Sequence, residues 1–172
     1  KLGDDFSANR VFVPEMLIAA RCMSAATELL KPYMVGEGGK SATVGSAVIG
    51  TVRGDMHDIG KNLVKIMMEG SGIEVYDLGT DVSAEQFVET AVEHDCGIIA
   101  CSSLLTTTMN EMRRVVSLAQ EKGIRKKVRI LIGGAPISQS FCDEIGADVY
   151  TEDAGAAARA AVEILKTCQT GK

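Results

Sequence analysis

From residue 43 onward, short apolar runs alternate with longer stretches whose apolar residues recur at helical spacing. The runs at 43–52, 74–78, 97–101, 128–132 and 148–150 are short and rich in Val and Ile, as buried strands are. Between and after them, helical periodicity predicts helices over 58–69, 83–94, 107–122, 138–144 and 154–167. The second of these opens on Ser83 with Gln86 three residues later, a pair that satisfies the free amides of a helix start. Arg113 and Arg114 fall on the wet side of the third. Residues 1–35 differ. Pro14 suits an early helical position, and no glycine interrupts 15–33. Met16, Ala19 or Ala20, Met23, Ala26 and Leu30 form a helical stripe, read as packing against neighbouring helices. A glycine-rich linker over 36–42 separates this segment from the alternating region, 43–172.

Five strands alternating with helices predict an α/β domain with a parallel sheet covered on both faces. Right-handed crossovers make 2-1-3-4-5 the simplest strand order, the flavodoxin-like arrangement. Ligands of such sheets bind where the order reverses, beyond the carboxyl ends of strands one and three. His57 follows the first of those strands and Ser102 follows the second.

The 172 residues suit one domain with a small appendage. At 46% hydrophobic and 24% charged, the chain can fill a core. Its net charge of −5 leaves no basic footprint for nucleic acid or an anionic membrane. No apolar run approaches a bilayer span. The five cysteines (Cys22, Cys96, Cys101, Cys142, Cys168) are odd in number and contain no CxxC pair. Most of them read as small buried groups, in a reducing, cytoplasmic setting. The chain does not begin with methionine, so its start is expected to be missing.

Of two histidines, His94 falls at a predicted helix end and reads as a solvated residue facing the helix dipole. His57 lies in Gly54-Asp55-Met56-His57-Asp58-Ile59-Gly60, on the loop leaving strand one. A carboxylate two residues before it can take one ring proton and leave the other nitrogen a better ligand. By itself the pattern fits a hydrogen-bonded loop histidine somewhat better than a metal ligand. A zinc or iron site would need two more ligands, and only Asp55 and Asp58 are near in sequence. A single imidazole offered to a metal already held by a macrocycle fits better. Gly39-Lys40-Ser41 resembles the tail of a phosphate loop, but Met34 stands where its first glycine belongs and a strand follows. Neither Cys101, Ser102 nor Ser103 sits in a G-x-S-x-G elbow.

Asp55-x-His57-x-x-Gly60, 41 residues, Ser102-x-Leu104, 28 residues, then Gly133-Gly134 resembles the cobalamin-binding signature. It is shared by methionine synthase and the corrinoid proteins of methanol, methylamine and methoxyl-compound methyltransferase systems. The resemblance implies cobalamin bound with its benzimidazole tail displaced and His57 as lower cobalt ligand. Asp55 would hold the second ring nitrogen, and Thr108 would complete a relay; Thr106 to Thr108 alone also read as a threonine-rich helix start. Gly54, Met56, Asp58 and Gly60 would border the cofactor, with Gly60 leaving room for the tail. Ser102 would bond the buried base, Leu104 would wall its slot, and Gly133 and Gly134 would admit the nucleotide. Thr106 and Ala154 match further contact positions.

Residues 5–23 resemble the later part of the helical cap of methyl-carrying members, which mutases lack. Residues 1–35 are then a partial cap that begins inside the second of four helices, with Phe12, Ala19 and Cys22 facing the methyl group. Gly36, Gly38 and Gly39 are candidate hinges. The implied function is a corrinoid methyl carrier, with no catalytic residue of its own. A substrate-specific methyltransferase would load it; a second, acting on tetrahydrofolate or coenzyme M, would unload it. A reductive activase is a further expected partner. The alternative is an excised cobalamin module of a larger methyltransferase or mutase, and a third is a cobalamin-sensing regulator.

Overall fold

The computed structural model describes residues 5–6, 8, 10–34 and 43–170. The linker 36–42, including the three candidate hinge glycines and the Gly39-Lys40-Ser41 run, lies outside these residues. Five strands form one parallel sheet in the order β2-β1-β3-β4-β5. They are β1 (Gly45–Thr51), β2 (Ile73–Asp77), β3 (Ile98–Ser102), β4 (Arg129–Gly133) and β5 (Val149–Tyr150). The helices are α1 (Val13–Met34), α2 (Ile59–Gly70), α3 (Ala84–Glu93), α4 (Asn110–Glu121), α5 (Gln139–Ile145) and α6 (Ala154–Thr170).

Alternation along the strands divides two cores. Ala47, Ile49, Ile98, Ala100 and Leu131 face Met68 of α2 and the alanine-rich side of α6. Val48, Ile99, Cys101, Ile130 and Ile132 face Phe87 of α3, Met112 and Val116 of α4 and Phe141 of α5. Burial on both faces explains why the strands read as continuous apolar runs. Gly50 makes room for this packing, because a Cβ there would sit 2.8 Å from the Phe87 ring.

The predicted capping box forms: the Ser83 hydroxyl accepts the Gln86 amide while the Gln86 side chain accepts the Ser83 amide. One helix start shifts. α4 begins at Asn110 rather than 107, because 106–109 form turns in which the Thr108 hydroxyl bonds the Leu105 carbonyl. His94 is exposed at the end of α3 as expected, but its ring also stacks on Tyr76, with centroids 3.9 Å apart. Cys96, Cys101 and Cys142 are buried and Cys22 is exposed.

Helix α1 packs on α2, with Met16 buried. Of the other described positions of the expected stripe, Ala19 is half-buried and Ala26 is exposed, while the side chains of Ala20, Met23 and Leu30 lie outside the description. Among the described residues no helix is long and apolar enough to cross a membrane.

Candidate cofactor site

The register sets Thr51, Ser102 and Gly133 level with one another at the carboxyl ends of three adjacent strands. The loop after β1 therefore emerges beside the loop after β3. Asp55 turns inward from the first loop and is wholly buried. Its Oδ1 accepts the His57 amide at 3.1 Å and lies 2.7 Å from His57 Nδ1. Its Oδ2 accepts the Leu104 amide at 2.7 Å and the Thr108 hydroxyl at 3.1 Å. Burial alone would raise the Asp55 pKa. The Leu104 amide, the His57 ring and amide, and the Thr108 hydroxyl together outweigh it and hold the carboxyl well below the usual range. An ionised Asp55 assigns the ring proton to Nδ1 and leaves the Nε2 lone pair available.

The imidazole is 52% exposed. Its backbone carbonyl accepts the buried Thr51 hydroxyl at 2.7 Å. Among the described residues no group of three or more His, Cys, Asp or Glu converges on one point. His57 thus offers a single donor, which suits a metal whose remaining positions are filled by a macrocycle.

Beside His57 opens a cleft of about 680 Å³ that runs between the sheet, α2 and α6. Met56, His57, Ile59 and Leu104 stand at its rim, and Ile49, Met68, Ala100, Leu131 and Ala157 lie deeper. A Cβ on Gly60 would meet nothing within 4 Å, so that position borders open space a side chain would enter. A free imidazole nitrogen beside a deep apolar slot fits a corrin ring with a displaced nucleotide tail.

Asp58, Gly60, Ser102, Gly133, Gly134 and Ala154 line the cleft together with the rim residues. Gly54 and Thr108 brace the histidine loop from behind, at φ +80 and through the bond to Asp55 respectively. Thr106 is exposed and outside the cleft lining. Phe12, 66% exposed, and Cys22 and Ala19 also lie outside it. From the helical segment, Phe6 reaches the cleft instead. Gly134 has a reason of its own to be glycine: at φ +135 a Cβ would lie 1.8 Å from the Ser103 carbonyl oxygen. It locks the end of β4 against the loop that supplies Leu104 and Thr108.

Two further residues join the site that the sequence reading had not assigned to it. Ser103 is fully buried, with its hydroxyl 2.8 Å from that of Thr108 and 3.4 Å from Asp55 Oδ2. Lys61, its side chain 1% exposed, lines the cleft and bonds Asp77 at 2.7 Å and the Asn62 side chain at 2.6 Å. Partial burial would raise the Asp77 pKa, but Lys61 and the Gly79 amide bring it below the ordinary value.

The fold and this site define a cobalamin-binding protein. A model of the B12 binding domain matches residues 45–163, and the chain belongs to that family. Dimethylamine corrinoid protein 1 of Methanosarcina acetivorans is 44% identical over 165 residues, covering 96% of this chain and 77% of that protein. Among solved structures, a cobalamin-binding protein from Desulfitobacterium hafniense DCB-2 matches with a TM-score of 0.81 and 31% identity, over 95% of this chain and 76% of that one. The methanol:cobalamin methyltransferase complex MtaBC from Methanosarcina barkeri matches with a TM-score of 0.84 and 30% identity, over 94% of this chain and 61% of that one.

Proposed function

We propose that this chain is a corrinoid methyl carrier in which His57 Nε2 is the lower axial donor to cobalt. The observation that carries the reading is the buried Asp55, which ties His57 Nδ1 at 2.7 Å and directs the free nitrogen to the rim of the cleft. When bound, the corrinoid supplies a cobalt that accepts and gives up a methyl group. The chain's own residues hold and shield. Asp55 keeps a proton on Nδ1, and Thr108 and Leu104 keep Asp55 ionised. Gly60 leaves the slot open, and the apolar walls exclude water from the nucleotide.

Two partners follow from this role: a substrate-specific methyltransferase that loads the carrier, and a second one, acting on tetrahydrofolate or coenzyme M, that unloads it. A reductive activase would restore carrier lost to oxidation. The likeness to a dimethylamine corrinoid protein supports a methylated amine as the methyl source, and the likeness to a methyltransferase complex supports docking of the loading enzyme. The test is His57→Gln. Its methylated cobalamin complex should differ from the parent's in absorption spectrum, and an unchanged spectrum overturns axial ligation by His57.

A further inference from the structure

Asp81, in the turn between β2 and α3, has φ +57. Residues with a Cβ enter this left-handed region at a cost, although Asp and Asn tolerate it better than most. Such a conformation persists where the surroundings over-determine it. Two bonds do so here, and both run to the segment that carries His57. The Asp81 amide donates to the Asp55 carbonyl at 3.0 Å, and Asp81 Oδ1 accepts the Gly54 amide at 2.7 Å. The contact continues through Val82, whose amide donates to the Thr51 carbonyl at 3.0 Å, and through a parallel bridge between Val52 and Val82.

Gly54 is where this grip matters. It lacks a Cβ, stands at φ +80, and is the last residue before Asp55. Rotation there would swing the Asp55 carboxylate, and with it the imidazole that the carboxylate holds. The Thr51 hydroxyl secures the far end of the loop at the His57 carbonyl. Between the two anchors the loop has little freedom left.

We propose that Asp81 is a positioning residue for His57, its carboxylate and left-handed backbone together fixing the Gly54 joint and so the direction of the imidazole. The inference rests on the reading of His57 as the cobalt ligand. Asp81→Gly and Asp81→Asn separate its parts, because glycine relieves the backbone but removes the acceptor, whereas asparagine keeps both shape and acceptor. Three quantities are read: thermal midpoint, affinity for hydroxocobalamin by absorbance, and the His57 Nδ1–H signal of the cofactor-free protein by NMR.

Asp81→Gly should stay within about 5 °C of the parent midpoint. It should bind hydroxocobalamin about tenfold more weakly, and its imidazole N–H signal should broaden through faster exchange with water. Asp81→Asn should match the parent in all three. The proposal is overturned if Asp81→Gly keeps parent affinity and a sharp signal, or if Asp81→Asn loses as much as Asp81→Gly. Should the glycine variant not fold, hydrogen exchange in the parent decides: a Gly54 amide protected by its bond to Asp81 supports the proposal, and one exchanging as fast as a free loop amide overturns it. His57→Gln is run alongside. An unchanged spectrum there would sink the ligation reading, while the imidazole signal without cofactor still judges Asp81.

Discussion

Asp55 couples chemistry to acid stability. Its carboxyl is enclosed yet ionised, because the Leu104 and His57 amides, the His57 ring and the Thr108 hydroxyl all donate to it. An unfolded aspartate titrates near pH ~3.9, whereas the folded Asp55 holds on to its charge well below that. Its contribution is therefore complete above the unfolded value and drains away as the pH falls through and beneath it. Asp55→Asn removes that dependence. Urea denaturation at pH 6 and pH 3 should show the parent losing more stability between the two than the variant, and equal losses would contradict the assignment. The same variant should bind hydroxocobalamin on the order of 10- to 100-fold more weakly, since it no longer fixes the ring nitrogen. Ser103 shows what one residue type hides. Its neighbour Ser102 reaches the cleft, while Ser103 turns into the Asp55 network. Nothing in a pair of adjacent serines tells which one faces inward until the strand's register is known.

At the scale of elements, the N-terminal turn of α2 is tied to the end of β2 by the ion pair between buried Lys61 and Asp77 at the surface. Lys61→Ala leaves Asp77 paired, among the described residues, with the half-exposed Lys65 and should cost about 1 kcal/mol in urea denaturation. Replacing both members, Lys61→Met with Asp77→Leu, should recover part of that loss, though the Gly79 amide then loses its acceptor. A double variant no more stable than Lys61→Ala would show that the pair does not act as a unit. The joint between β4 and the β3–α4 loop is tighter still. Gly134→Ala must move the Ser103 backbone, so a marked fall in thermal midpoint and loss of hydroxocobalamin binding are expected together. The strands and the α3 cap were legible in the sequence because their signals are local: apolar runs, and Ser83 with Gln86. Lys61 was not, because a lysine in an amphipathic helix reads as surface, and its partner lies 16 residues away on another element. The start of α4 was misjudged for a related reason: the Thr108 side chain is drawn to Asp55, 53 residues back in the chain.

Across the whole molecule, the described residues of both apolar cores all lie beyond 43, and Met16 belongs to neither. Residues 43–172 should therefore fold alone and bind hydroxocobalamin, with a melting transition as cooperative as the parent's. A broad, non-cooperative transition would mean that α1 is part of the folding unit. The histidine, serine and glycine fragments were legible as one site because a parallel sheet brings successive strand ends to one edge, so their spacing in sequence maps to adjacency in space. The helical segment was less legible. Which of its side chains meets the cleft depends on how α1 lies on α2, and Phe6 rather than Phe12 does so. The common strand direction has a practical sequel. The connection from α4 to β4 lies at the opposite rim, where Lys126 and Lys127 are exposed. Anchoring the protein to a sensor surface through those two amines would leave its cofactor mouth pointing outward, free to meet an enzyme in the flow.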